Sequence, residues 1–542
     1  MPRPFLLATL ATWLFLCLVQ TSSAEKVYPS LYTVNDRVSM ENATTFESKL
    51  NSPTTLANPA LVQFINSFCG DCRRFATTFK KVALQLYEWR SALQVLVVDC
   101  AQEINVKLCR QYNITSVPTL YFMDLKYGNK KIIPIMKRDV DGIRNAVAEL
   151  LSSYVSFTRP LTLLEAEQRR NYDFDYAAVI YQPPGSFIGR DTLLDLLSWP
   201  VDVRIVDNSA VAKKFDIDTE NTKISIIDKK SGIKLPLKVA RDTREAYVNA
   251  IASVLRMLSF NPEPTPPTIV LPSNELDDVD RRILETVTNG KATVYRADLE
   301  QAIDMILHIE IPRAGSIREE SLQALRNLLD VLRKLNPLNK PGKQLLNRLY
   351  DYVKNVKHSL SGEDFQNELR LQERKLPKIF KAQRFVGCIA SRPNLRGFTC
   401  SLWTLFHYLT VQTADDNTIE PGFILEAIHG FVKNFFGCTD CVNHFLEMAR
   451  RRQIWLVKNK DEEVLWLWRA HNEVNKRLAG DSTEDPKFLK LQYPSAKDCP
   501  GCSINIISDT QWNEPKVFSF LKDVYHKKNL NNYALPTIIG YD

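Results

Sequence analysis

Three cysteine pairs in this chain share a spacing that suits reversible chemistry: Cys69-Gly-Asp-Cys72, Cys438-Thr-Asp-Cys441 and Cys499-Pro-Gly-Cys502. A bond across two intervening residues closes too small a loop to restrict an unfolded chain much, so it serves poorly as a staple and well as a dithiol that opens and closes. The wider pairs, Cys100/Cys109 and Cys388/Cys400, read as structural disulfides. No cysteine falls between Cys109 and Cys388. The eleven cysteines, less Cys17 in an apolar leader, leave an even set, which fits an oxidising compartment.

Around the second pair lie residues that could hold a flat, polar ring system. Trp403 and His407 stand four apart on one helix face, and Trp468, His471, Asn472 and Asn475 fall three, four and seven apart on another. Zinc is the competing reading, because Cys438-x2-Cys441-x2-His444 has ligand types that zinc accepts and Cys499/Cys502 could complete the set. An oxidising compartment disfavours free thiolates, however, and zinc leaves both helix faces unexplained. No metal is expected.

The elements that must position these groups change character along the chain. Leu61–Ile65, Gln94–Val98 and Thr119–Met123 are β-rich runs, with a helix after Cys72, giving a βαβ pattern that ends in a hairpin. A second, cysteine-free unit has strand candidates at Ala177–Tyr181, Val203–Val206 and Ile224–Ile227. The closely spaced prolines from Pro262 to Pro267 forbid a helix and read as a linker. From Leu276 onward the pattern is helical, with stripes such as Leu322, Leu325, Leu328, Leu329 and Leu332. Such stripes form bundle cores.

The start of the chain, basic at Arg3, apolar from Phe5 to Val19 and small-residued at Thr21–Ala24, reads as a secretory leader cleaved after Ala24. Its apolar run is short for a membrane anchor, and no later stretch is long enough to span a bilayer. The expected location is the secretory lumen (Golgi or ER) or the extracellular space. The chain has 542 residues, 45% hydrophobic and 24% charged, and a net charge of +8 with both signs interspersed. That composition excludes a disordered chain and gives no support to a nucleic-acid partner. Asn42-Ala-Thr44 and Asn113-Ile-Thr115 are glycosylation candidates.

The first redox unit resembles a thioredoxin or protein disulfide isomerase domain: strand, Cys-x-x-Cys at a helix N-terminus, then Val117-Pro118-Thr119. The resemblance implies that Cys69 is the exposed nucleophile and Cys72 the resolving thiol. Oxidising members of that family usually carry His before the second cysteine. Here it is Asp71, whose charge should raise the thiolate pKa and make the pair less oxidising or slower.

The C-terminal part resembles the Erv/ALR sulfhydryl oxidase family on Arg384-Phe-Val-Gly-Cys388, Leu402-Trp-Thr-Leu-Phe-His407, Phe435-Phe-Gly-Cys438 and Leu478-Ala-Gly480. The whole order of units resembles the animal quiescin-type sulfhydryl oxidases, a family that joins thioredoxin domains to an Erv domain. This resemblance implies a multidomain fold of two α/β thioredoxin-like domains, an all-α spacer and an all-α FAD-binding bundle. The boundaries it suggests are leader 1–24, redox domain 25–156, cysteine-free domain 157–262, linker 263–275, Erv-like spacer 276–377, Erv/ALR domain 378–533 and tail 534–542. It further implies that Arg396, Trp403, His407, Asp440, His444, Trp468, His471, Asn472, Val474, Asn475, Lys490 and Tyr493 contact FAD. Tyr493 stands where the family commonly has Trp. Electrons would pass from a reduced or unfolded secretory protein to Cys69/Cys72, to Cys438/Cys441, to FAD and to O2, giving H2O2. For Cys499/Cys502 the resemblance leaves two roles, a further shuttle or a structural disulfide, with the structural one preferred. The spacer would stand in for the second subunit of a dimeric Erv domain, so a monomer is expected. The alternative is a weakly active paralogue acting as a thiol-binding or isomerase-like secreted protein.

Overall fold

The computed structural model describes residues 30–51, 58–124, 131–155, 158–167, 173–264, 276–416, 418–503 and 511–536. The expected leader, nearly all of the expected linker and residues 537–542 of the expected tail lie outside these residues.

The first sheet contains β1 (Ser39–Glu41), β2 (Ala60–Ile65), β3 (Gln94–Asp99), β4 (Thr119–Asp124) and β5 (Lys131–Pro134), in the order β1-β3-β2-β4-β5. β2 runs parallel to β3, and β3 to β1, while β4 is antiparallel to β2 and β5 to β4. Every residue of β2 is buried, as expected of a near-continuous apolar run covered on both faces. A parallel β2–β3 pair needs a crossover. The helix Gly70–Gln85 supplies it, burying Cys72, Phe75, Phe79 and Val82 on one face. Cys69 caps that helix and Cys72 lies in its first turn, the placement expected of a pair at a helix N-terminus.

A second sheet repeats the core of this topology with β6 (Tyr176–Tyr181), β7 (Asp202–Val206), β8 (Ile224–Asp228) and β9 (Lys234–Leu237), ordered β7-β6-β8-β9. One hydrophobic core runs through both α/β units. Asp195 locks them together: it accepts from the Trp89 indole at 2.8 Å and from Arg144 at 3.0 Å, and the Arg144 guanidinium lies 4.9 Å over the Trp89 ring.

Beyond residue 276 the chain is helical, and one core joins the spacer helices to the C-terminal bundle. The helix Glu319–Leu335 packs on Phe423–Asn434, and Arg296–Met305 packs on Gly397–Ala414. At the first crossing a Cβ on Gly430 would come within 2.9 Å of the Ala324 Cβ, so the two helices meet closely through small residues. The buried Asp298 of the spacer accepts from the Val386 and Gly387 amides, both at 2.7 Å, and so holds the loop that carries Cys388. Burial lifts this carboxyl to about 6. Two features interrupt the helices where periodicity suggested none: a π-helical turn at Ile306–Glu310, and a two-residue antiparallel ladder between Ile317–Arg318 and Ser359–Leu360. Among the described residues no helix is long and apolar enough to cross a membrane.

Candidate active site

Cys69 is the N-cap of the helix Gly70–Gln85, directly beyond the end of β2, and both Cys69 and Cys72 are buried free thiols. A hydrogen bond from the Cys72 thiol, followed by backbone N–H groups of the first helical turn, holds the Cys69 thiol below its ordinary range against the cost of burial. Cys72 is pushed well above that range by burial and by its neighbour. The pair is therefore differentiated: Cys69 is the more acidic thiol and Cys72 the one that holds its proton. Asp71 opposes the Cys69 thiolate, as its charge requires, but it is the weakest of the influences on that thiol. Its carboxylate is engaged by Arg138 at 2.9 and 3.1 Å and has Arg74 at 3.9 Å. Arg138 arrives from beyond β5, its guanidinium 4.6 Å over the Phe75 ring. Asp71 thus raises the thiol as expected, but the net displacement is downward because the Cys72 hydrogen bond and then the backbone N–H groups of the helix terminus outweigh it.

Cys69 Sγ lies 2.9 Å from Cys438 Sγ, although the residues are 369 positions apart. Cys438 is the N-cap of the helix Thr439–Arg451 and is disulfide-bonded to Cys441. The surrounding contacts hold the first domain on the bundle. Phe68 packs against Phe398 and Phe436 with ring centroids 5.0 and 6.0 Å away. Arg74 donates to Asp440 at 2.9 Å and to Asp481 at 3.4 Å, Arg73 donates to the Asn394 carbonyl, and Asn394 donates to the Ser30 carbonyl at 2.8 Å. None of Phe68, Arg73, Arg74 or Arg138 was singled out by residue type. The Arg73-Arg74 doublet beside Cys72 was the one local signal that could have flagged part of this interface.

Behind the disulfide is a cavity of about 610 Å³, with Cys441 on its wall. This is within the range of ligand sites, roughly 300–1,000 Å³. Trp403 and His471 stack at 4.3 Å with their planes 7° apart and form one aromatic surface of it. Val474, Asn475, Tyr493, Asp440 and His444 also line it, with His444 3.3 Å from Asp440. Two half-buried cations, Arg396 and Lys490, also line it. Burial brings the Arg396 guanidinium down to about 10 and lowers the Lys490 ammonium, on which Arg396 and Arg73 also act. Arg396 is fixed by hydrogen bonds to the Gly387 and Ile389 carbonyls at 2.8 and 3.2 Å and lies 3.6 Å over the Phe488 ring.

His407, Trp468 and Asn472 are placed behind the lining instead of on it. His407 Nε2 meets His471 Nδ1 at 3.1 Å and so braces the stacked ring from the rear. Burial brings His407 down to about 3 and puts His471 well below its ordinary value, so both rings are neutral. Trp468 and Asn472 donate to the Tyr493 carbonyl at 2.6 and 2.7 Å, and Asn472 accepts from the Tyr493 amide at 2.8 Å. Helix Lys460–Leu478 thereby pins the segment that carries Tyr493.

The remaining cysteines form Cys100–Cys109, Cys388–Cys400 and Cys499–Cys502 bonds. Asn42 uses its side-chain oxygen to accept from the Thr44 and Thr45 amides, and Asn113 is exposed in a left-handed turn at φ 52°.

Three family models match the chain: Thioredoxin over residues 37–149, Flavin adenine dinucleotide (FAD)-dependent sulfhydryl oxidase over 290–391, and Erv1 / Alr family over 400–494. Among similar proteins, Sulfhydryl oxidase 1 of Gallus gallus is 33% identical over 538 residues, covering 94% of this chain and 69% of that protein. Sulfhydryl oxidase 1 of Cavia porcellus is 31% identical over 522 residues, covering 92% of this chain and 83% of that protein. A solved structure, the sulfhydryl oxidase fragment of human QSOX1, is 35% identical and covers 45% of this chain and 99% of its own, with a TM-score of 0.41.

Proposed function

The chain belongs to the sulfhydryl oxidase family, and from that premise we propose that it oxidises protein dithiols by a relay from Cys69/Cys72 to Cys438/Cys441 and on to the cavity behind them. It is an FAD-dependent thiol oxidase that forms disulfides, with oxygen as acceptor; an isomerase-like role is not favoured. The observation that carries the relay is the 2.9 Å approach of Cys69 Sγ to Cys438 Sγ.

The cavity suits the flavin. It offers an aromatic surface for a flat ring, the half-buried Lys490 and Arg396 for a diphosphate, and the Cys441 sulfur on its wall. We assign Trp403, His471, Val474, Asn475, Tyr493, Asp440, His444, Lys490 and Arg396 to direct contact. His407, Trp468 and Asn472 act by fixing those that touch. Bound FAD supplies a two-electron acceptor that dioxygen reoxidises, with hydrogen peroxide as product.

The chain's own steps are thiol–disulfide exchanges. A substrate thiolate opens a Cys69–Cys72 disulfide, and a second substrate thiol closes the substrate's new bond, leaving both cysteines reduced. The Cys69 thiolate then attacks Cys438; the Cys438–Cys441 bond breaks and Cys441 leaves as a thiolate on the cavity wall. Cys72, once it loses its proton, displaces Cys438 from Cys69. Because Cys69 is wholly buried in the docked arrangement, the first exchange requires the first domain to lift away.

Further parts of the same reading are the domain limits given above, structural roles for the other three disulfides, glycans on Asn42 and Asn113, reduced secretory proteins as substrates, and action as a monomer in the secretory lumen or outside the cell. The N-terminal leader pattern and the four disulfides support that compartment. Oxygen uptake by the flavin-loaded enzyme tests the relay. Cys69→Ser should abolish turnover of a reduced protein while sparing turnover of dithiothreitol, and Cys441→Ser should abolish both. Full protein turnover by Cys69→Ser would overturn the reading.

A further inference from the structure

The spacer lines part of the flavin cavity, through Tyr295 and Asp298 among others, and it also reaches the redox centre by a second route. Its helix Arg296–Met305 runs into the π-helical turn Ile306–Glu310, in which the Ile311 amide bonds back to the Ile306 carbonyl at 3.1 Å. Such turns are rare and frequent at functional sites. This one ends on a buried acid and is followed three residues later by a buried base: Glu310 is 1% exposed and Arg313 9%, and they lie 3.6 Å apart. Both are spent on the three residues before Cys438. Glu310 accepts from the Gly437 amide at 2.6 Å, and Arg313 donates to the Phe435 carbonyl at 2.9 Å.

From the opposite side, Asn66 of the first domain donates to the Gly437 carbonyl at 3.0 Å. Both polar groups of residue 437 are thus held, one by the spacer and one by the docking domain. The space is filled as well: a Cβ on Gly437 would lie 1.9 Å from Arg313 Nη1 and 2.3 Å from Asn66 Nδ2. The same stretch of spacer receives the first domain, since Arg110 donates to the Pro312 carbonyl at 2.6 Å. A buried carboxylate is costly unless it is hydrogen-bonded, and here the one hydrogen bond, to Glu310 Oε2, comes from the backbone that fixes where Cys438 begins its helix.

We propose that Glu310 and Arg313 are positioning residues for electron transfer between domains: they set Cys438 Sγ where the Cys69 thiolate can attack it. The proposal rests on the Cys69-to-Cys438 relay. It gives the spacer a part in the reaction beyond completing a hydrophobic core and lining the cavity. Neither residue lines the cavity, so its effect belongs to the thiol exchange.

The test uses the full flavin-loaded chain in a Cys72→Ser/Cys441→Ser background, in which Cys69 and Cys438 are the two reactive thiols. With one equivalent of an aromatic disulfide reagent, the first thiolate takes up half of it and releases one thionitrobenzoate. The second thiolate then displaces the other half, forming the Cys69–Cys438 bond and releasing a second thionitrobenzoate. This second, intramolecular phase reads positioning without flavin turnover. Glu310→Ala should slow it by about tenfold or more, since small misplacements of reacting atoms carry losses of that order. Glu310→Gln keeps an oxygen that accepts from Gly437 and should stay within about threefold of the parent. Arg313→Lys, which lacks the fork that reaches Phe435 and Glu310 together, should slow the phase by about threefold. A parent rate in Glu310→Ala, or a Gln variant as slow as Ala, overturns the positioning role. If Glu310→Ala does not fold with its flavin, a parent rate in Arg313→Lys does so instead. A background chain that forms no Cys69–Cys438 bond overturns the relay itself.

Discussion

Removing Arg138 should slow electron transfer out of the first domain, and removing Asp71 with it should restore the rate. Arg138 engages Asp71 at 2.9 Å, with side chains 51% and 26% exposed. An ion pair so placed is worth roughly 0.2–1 kcal/mol. If all of the upper value returned as an unanswered charge acting on Cys69, the thiol would rise by at most about 0.7 pKa units at 1.36 kcal/mol each. The thiolate fraction below its pKa would fall about fivefold. A more basic thiolate is also a better nucleophile, with a Brønsted slope of about 0.4–0.5, which returns about twofold. The net expectation for Arg138→Ala is a loss of about two- to threefold in turnover of a reduced protein near neutral pH. Asp71→Asn should change little or give a slight gain, and the double variant should match Asp71→Asn alone. The direct assay is the pH dependence of Cys69 alkylation in a Cys72→Ser background, read as a midpoint so that a change in docking alone does not count. Arg138→Ala should move the midpoint up, and the double variant should move it back. An unmoved midpoint in Arg138→Ala, or no recovery in the double variant, would refute the compensation argument. Asp71→His then adds a cation where one is already supplied by Arg138 and Arg74, so a small gain is expected, not a large one.

Lys490→Met removes a half-buried cation from the cavity and should weaken flavin retention by about tenfold or more, taking roughly 1.5–3 kcal/mol for a hydrogen bond to a charged group. Release followed by flavin fluorescence measures it, and unchanged retention would contradict the assignment of Lys490. Gly437→Ala places a methyl 1.9 Å from Arg313 Nη1 and 2.3 Å from Asn66 Nδ2, an overpacking of about 1–3 kcal/mol. It should lower turnover of reduced protein more than turnover of dithiothreitol, and an equal effect on both would count against a shared docking site at Gly437. His407 is held at about 3 when folded against 6.5 when free. The unfolded chain therefore binds the proton that the folded one refuses, and stability is lost as pH falls below about 6.5, by about 1.6 kcal/mol down to about pH 5. His407→Gln should flatten urea-unfolding stability over that window by the same amount, and an unchanged pH slope would refute the neutral buried ring.

Local pattern carried the elements. The runs at Leu61–Ile65 and Gln94–Val98 fall inside β2 and β3, and Trp468, Asn472 and Asn475 do lie along one helix. These are readable because period and spacing are properties of neighbouring residues. The short edge strand β1 and the π turn at Ile306–Glu310 carried no such signal: three residues give no period, and a π turn is one added residue in an otherwise helical run. Residue type and helical phase alone could not separate side chains that face a cavity from those that stand behind it. His407 and His471 are both polar-aromatic residues on helices of the bundle, but only His471 lines the cavity, with His407 bracing it from behind.

The chain's order therefore determined which chemistry is carried and that the first dithiol starts a helix. That followed from cysteine spacing, strand-then-helix patterning and a helix N-terminus that favours a thiolate. Only the tertiary structure decided how the parts meet: Cys69 on Cys438 across 369 residues, Arg138 on Asp71 and Glu310 on Gly437. The reason is physical. These are contacts between surfaces that belong to different units, fixed by shape, burial and charge once the domains have packed, and no periodicity in the sequence records them.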